Sequence, residues 1–85
     1  MNRKKRINDI LKKNLKDFQV FIEDNSYLHI GHNNFDGKEE THFLITLQFK
    51  GQKVLDKMSI HRKINNLLEK EFNSGLHSLE IKIKN

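Results

Sequence analysis

Hydrophobic positions along the chain change period five times, and each change marks an element. Ile7, Ile10, Leu11 and Leu15 recur at three- and four-residue spacing, which predicts a helix with one apolar stripe. Lysine and arginine fill its other faces, and the pattern ends at Asp17. Phe18 to Asp24 then reads as a strand, with Phe18, Val20 and Ile22 alternating toward one face among β-branched and aromatic residues. From Asn25 to Glu39 the pattern collapses into Asn25, Ser26, Asn33, Asn34, Asp36 and two glycines, which predicts a long loop. Loops of that length inside a compact domain are usually functional or disordered. A second strand follows, where Phe43, Ile45, Leu47 and Phe49 alternate with His42, Leu44, Thr46 and Gln48, and Gly51 turns the chain. From about Val54 the period is helical again. Leu55, Met58, Ile60, Ile64, Leu67, Leu68 and Phe72 make the apolar face, with Lys63, Glu69, Lys70 and Glu71 mostly outside. A short helical turn followed by a longer helix is expected there. Asn73-Ser74-Gly75 stops the helix, with glycine suited to the left-handed cap. The last strand runs from Leu76 to Lys84, with Leu79, Ile81 and Ile83 alternating with Ser78, Glu80 and Lys82.

The predicted order is helix, strand, strand, helix, helix, strand. An α+β layer satisfies it: a three-stranded sheet, apolar on one face and polar on the other, with the helices on the apolar face. No internal repeat or linker divides the chain, so one domain over residues 1–85 is expected. At 85 residues, 35% hydrophobic and 32% charged, the chain is polar yet able to build one core around its Phe, Ile and Leu residues.

Charge adds a question about partners. The formal net charge is +5, concentrated at Arg3, Lys4, Lys5 and Arg6 and then at Lys12, Lys13 and Lys16. Such a patch attracts phosphate backbones, anionic membranes or acidic proteins, but a solvated helix face explains a moderate excess equally simply, and is the weightier reading. The basic start is not followed by the apolar stretch of about 7–15 residues that a signal peptide needs, because Lys12-Lys13 interrupts Ile10-Leu11. No run is long enough to span a membrane, and the chain has no cysteine. A cytoplasmic location, without membrane attachment, is the expectation.

Hydrolase or transferase chemistry finds little support. There is no cysteine nucleophile and no serine in a recognisable nucleophile setting. Asp24 and Glu40 lie where acids commonly cap or face solvent, and the four glycines form no Gly-x-x-Gly. A non-enzymatic protein is expected.

The five histidines carry the remaining chemistry. His29 and His32 fall in the long loop, where two imidazoles three residues apart are compatible with one metal and equally with a polar loop. His42 opens the second strand on its polar parity and reads as an exposed or sheet-face residue. His61 stands on the edge of the helical apolar face, where a half-buried, hydrogen-bonded structural role fits best. His77 begins the last strand beside the Gly75 turn. It shares parity with Leu79 and Ile81, which predicts packing, although a strand end also lets one ring nitrogen reach outward. A histidine-rich chain without cysteine brings no thiolate to an iron-sulfur cluster, so a partner must supply any sulfur ligand.

Taken together, Ser26-Tyr27-x-His29, Glu40-Thr41-His42-Phe43, Phe49-Lys50-Gly51, His61-Arg62-Lys63-Ile64-Asn65 and Gly75-Leu76-His77-Ser78-Leu79 resemble the ordered motifs of BolA-like proteins, over nearly the whole chain from Arg6 to about Ile83. The His29-x-Gly31-His32 loop is similar to versions in bacterial members. The resemblance implies a fold like the class II KH domain, in agreement with the element order. It implies a monothiol glutaredoxin as partner, with a [2Fe-2S] cluster bridging the two proteins. The glutaredoxin gives a cysteine and glutathione a second thiolate. The BolA-like chain gives the C-terminal histidine, here His77, and a loop ligand, here His29 by its spacing from Ser26, with His32 as rival. It also implies a role in cluster trafficking and iron homeostasis. Imidazole ligation should weaken at acid pH, because a protonated ring cannot ligate. Alone, the chain is expected to be a monomer or weak homodimer holding little metal. The family's second function is DNA-binding transcriptional regulation of stress response and cell morphology. It implies a helix pair around residues 54–72 presenting His61, Arg62 and Lys63, with phosphate contacts also from Arg3, Lys4, Lys5 and Arg6. Two departures stand out: Ile60 replaces the arginine that commonly precedes the helix histidine, and Ser78 replaces the alanine after the C-terminal one.

Overall fold

The computed structural model describes residues 2–25 and 41–85. In chain order the elements are α1 (Arg3–Asn14), β1 (Phe18–Asp24), β2 (His42–Phe49), α2 (Lys57–Leu67), α3 (Glu69–Asn73) and β3 (Ser78–Lys84). The α-β-β-α-α-β order and the α+β class match the sequence reading.

β2 is the central strand of a three-stranded sheet. It pairs antiparallel with β1, Phe18 opposite Phe49 and Ile22 opposite Ile45, and parallel with β3, Phe43 opposite Leu79 and Leu47 opposite Ile83. This register stacks the apolar residues of all three strands on one face. Onto that face pack Ile7 and Leu11 of α1, Leu15 just beyond it, Ile64 of α2, and Leu68 between α2 and α3. Ile7, Leu11, Ile45, Leu47, Ile64 and Leu68 are fully buried, so the amphipathic stripe and the strand alternation meet in one core.

Local chemistry fixes the ends. The Asn2 side chain accepts from the Lys5 N–H at 2.8 Å, and Asp56 accepts from the Ser59 N–H at 3.1 Å and its hydroxyl at 2.8 Å, capping α1 and α2. At the other end of α1, Lys63 Nζ donates to the Asn14 carbonyl at 3.2 Å, tying α2 to the exposed acceptors of α1. After β2, a side chain at Gly51 would press within 2.6 Å of the Phe49 ring, which stacks at 5.2 Å against Phe18.

Four local expectations are corrected. The longer helix comes first and the short one second, because Asp56 supplies a cap that starts α2 early. The apolar face does not begin at Val54: Val54 is 94% exposed and Met58 64% exposed. β3 starts at Ser78, two residues later than expected, with Leu76 buried before it. Glu71 is buried rather than outside, at 6% exposure. Its carboxylate receives Arg3 Nε at 3.0 Å, Arg6 Nε at 2.8 Å and an Arg6 terminal nitrogen at 2.9 Å. Arg6 foremost, and then Arg3, hold the Glu71 carboxyl below the usual glutamate range, outweighing the opposite pull of burial.

Candidate metal centre

The α3–β3 turn delivers His77. Gly75 takes a φ of +124°, a conformation that side-chain-bearing residues rarely adopt, and Arg3 donates to the Ser74 carbonyl at 2.8 Å, packing its guanidinium over the glycine. Leu76 then plugs into the core, donating its N–H to the Glu71 carbonyl at 2.9 Å. With Leu76 anchored inward, the next residue turns out, and His77 is exposed. Packing of His77, expected from its parity, is therefore corrected: regular strand geometry begins one residue later, so parity with Leu79 does not extend back to it.

Thr41 organises the end of the sheet. It is 3% exposed. Its carbonyl accepts the N–H of His77 at 2.8 Å and of Ser78 at 3.1 Å, and its Oγ1 lies 2.9 Å from His42 Nδ1. These contacts bring together two histidines 35 positions apart in sequence: the rings of His42 and His77 stand edge to face, centroids 5.6 Å apart at 84°. This pairing was not legible in the sequence, because it depends on the parallel register of β2 and β3, in which His42 lies opposite Ser78.

His29 and His32 lie outside the described residues. The residues that flank their segment are at the same sheet end as His77: the Asn25 N–H donates to the His42 carbonyl at 2.7 Å, and Thr41 bonds His77 as above. Among the described residues no group of three or more His, Cys, Asp or Glu side chains is placed to hold a metal. The donor chemistry on view is thus one exposed imidazole with a second beside it, fewer than a closed metal site requires and compatible with a site shared with a partner.

His61 is half-buried on α2, as expected, but among the described residues no hydrogen bond holds its ring. The basic residues separate into two groups. Arg3 and Arg6 are spent on Glu71, and Lys5 pairs with Asp9 at 3.1 Å. Lys4 and Arg62 are exposed, and Arg62 and Lys63 line a shallow surface groove with Ser59, Asn66 and Leu67. Lys63 also serves the end of α1. The run at residues 3–6 is accordingly not a simple cationic patch; half of it is internal structure. No helix among the described residues is long and apolar enough to cross a membrane.

Comparison with known proteins places these features in a family context. Residues 11–85 match the family model described as BolA-like protein. The chain is 38% identical over 82 residues to Protein BOLA1, chloroplastic, of Arabidopsis thaliana, covering 94% of this chain and 51% of that protein. It is 37% identical over 86 residues to SufE-like protein 1, chloroplastic/mitochondrial, of the same plant, covering 93% of this chain and 22% of that protein. The chain thus spans about half the length of one of these relatives and about a fifth of the other. Solved structures agree. BolA1 from Arabidopsis thaliana superposes with a TM-score of 0.78 at 37% identity, over 99% of this chain and 92% of that one. The BolA domain of SufE1 gives 0.78 at 34% identity, over 99% and 93%.

Proposed function

The chain belongs to the BolA-like family, and from that premise we propose that it is a non-enzymatic adaptor that shares a [2Fe-2S] cluster with a monothiol glutaredoxin, serving iron-sulfur cluster trafficking and iron homeostasis in the cytoplasm. The observation that carries the reading is His77, exposed on a backbone pinned at both sides. Leu76 is locked into the core and the His77 N–H is bonded to Thr41, so the ring projects from a fixed point. A ligand held this way loses little freedom on binding.

The cluster is cargo, bridging the two proteins and leaving with its recipient. His77 offers an imidazole nitrogen, and His29, with His32 as rival, offers the second from the segment whose flanking residues meet at the same sheet end. The glutaredoxin cysteine and glutathione supply the thiolates that this cysteine-free chain lacks. Mixed histidine and thiolate ligation raises a cluster's reduction potential relative to all-thiolate ligation.

The test is anaerobic assembly of the chain with monothiol glutaredoxin, glutathione, ferrous iron and sulfide, followed by visible absorption and circular dichroism. The parent should give a spectrum distinct from that of the glutaredoxin cluster alone. His77→Ala should lose it while keeping its far-ultraviolet signal, since replacing an exposed ring costs only about 0.5 kcal/mol or less. Identical spectra from parent and variant would remove His77 from the ligand set. The His29→Ala/His32→Ala double variant asks the same question of the loop.

A further inference from the structure

We infer that the outer edge of β1 is a docking surface for an extended acidic segment of a partner protein, which adds to the sheet as a further strand in the groove beside α1. The surface lies on the opposite edge of the sheet from β3, and it uses neither His77 nor the cluster.

The hydrogen bonds at the two ends of the β1–β2 ladder show which backbone groups face outward. The Lys50 N–H donates to the Asp17 carbonyl at 2.8 Å, and the Asn25 N–H to the His42 carbonyl at 2.7 Å. In an unbroken antiparallel register this makes the odd-numbered residues of β1 the ones bonded to β2. The even-numbered residues turn their N–H and C=O groups away. Phe18 follows this parity, donating its N–H to the Leu15 carbonyl at 3.1 Å. Val20 and Ile22 have no strand beside them among the described residues, because β1 is an edge of the sheet.

Natural edges are usually blunted by charge, proline or a bulge. The β3 edge carries Glu80, Lys82 and Lys84, all exposed. Phe18 to Ile22 has no charged residue, no proline and no break in register, and Phe21 is 56% exposed. This edge is therefore suited to pairing.

Charge selects the occupant. Lys12, Lys16 and Lys50 line a groove with Gln19, Val20 and Phe21. Lys50 Nζ reaches the Lys16 carbonyl at 3.4 Å, which holds two of the three lysines side by side. Further along, Ile22 lines a second hollow with Asn2 and Lys5 at the other end of α1. An acidic strand in this position would set its carboxylates against the lysines and an apolar side chain against Phe21. A second copy of the chain would bring the same lysines together and repel. A nucleic acid or an anionic membrane offers phosphate oxygens, which accept but do not donate. Only another peptide strand satisfies both the N–H and the C=O groups of Val20 and Ile22.

The experiment is a titration of the full chain with a synthetic peptide of about eight residues, the length of an ordinary strand, alternating glutamate and valine. Hydrogen exchange read by nuclear magnetic resonance should slow roughly tenfold or more at the Val20 and Ile22 amides, with little change at Phe21, whose amide is already bonded to β2. Lys12→Glu/Lys16→Glu should weaken binding roughly tenfold or more, and salt should weaken binding to the parent. A second series needs no variant to fold. The glutamates fix which alternate set of peptide amides faces β1. N-methylation of that set should abolish binding, and N-methylation of the other should leave it near that of the unmodified peptide. Failure of the peptide to bind at about 1 mM, or equal effects of the two methylated sets, would overturn the inference. So would binding without protection of Val20 and Ile22, which would mark a general anion surface shared with DNA or phosphatidylserine vesicles. Protection of these amides that rises with the chain's own concentration, without peptide, would assign the edge to a second copy and overturn it equally.

Discussion

At the scale of single residues, Glu71 does more for the fold than its place in a charged run suggests. Its carboxylate ties α3 to two arginines on the first turns of α1. Glu71→Gln should cost about 1.5–3 kcal/mol, the range for hydrogen bonds to charged groups, measured by denaturant unfolding at neutral pH. The pH dependence has a definite sign. The carboxyl titrates below its ordinary range when folded, so the unfolded chain binds more protons in acid. The stabilisation is complete above the ordinary glutamate range and is lost as pH falls through the lowered folded value. Glu71→Gln should therefore show a flatter loss of stability on acidification than the parent. Gly75 is the other sensitive residue. Gly75→Ala must hold a φ of +124° and meet the Arg3 guanidinium at 3.3 Å, so a loss of about 1–3 kcal/mol is expected by the same measurement, with the His77 backbone amide shift moving in parallel.

At the scale of elements, α1 is held by packing as well as by charge. Leu11 is fully buried, and Leu11→Ala should cost about 2–5 kcal/mol in unfolding experiments, as for other core truncations. The cap of α2 works locally. Hydrogen bonds from the Ser59 hydroxyl and then its N–H hold the Asp56 carboxyl below the usual aspartate range. Asp56→Ala should speed hydrogen exchange of the Ser59 amide while leaving exchange in β2 unchanged. Equal acceleration in both elements would mean that the cap acts on global stability.

At the scale of the whole molecule, a net charge of +5 overstates the surface available to an anionic polymer. Arg3 and Arg6 are engaged with Glu71, and Lys63 reaches to α1. DNA binding should accordingly be weak and sequence-indifferent, in the non-specific range of roughly 10⁻⁴–10⁻⁶ M at physiological salt. Neutralising Arg62 and Lys63 together should lower the salt slope by about 1–2 units. Sub-micromolar, sequence-selective gel shifts would instead favour a transcriptional regulator over the cluster adaptor.

The chain's own pattern determined its elements, their order and the buried face of α1 and of each strand, because periods of 3.6 and 2 report which side of a helix or strand meets the core. Phe18–Asp24 and the alternation of β2 were legible residue by residue for that reason. The pattern also exposed the arrangement of histidines that resembles a known family. It did not determine what long-range pairing decides. Periodicity marked the face of β2 and β3 but not their register, so the meeting of His42 with His77 under Thr41 stayed hidden. It classed Glu71 with the solvated charges, because nothing local shows that two arginines 65 and 68 positions away close over it. It extended β3 back through His77, although Leu76, drawn into the core after the Gly75 turn, sends the next side chain outward. In each case a short-range signal was overruled by a contact between elements distant in sequence, and those contacts position the chemistry.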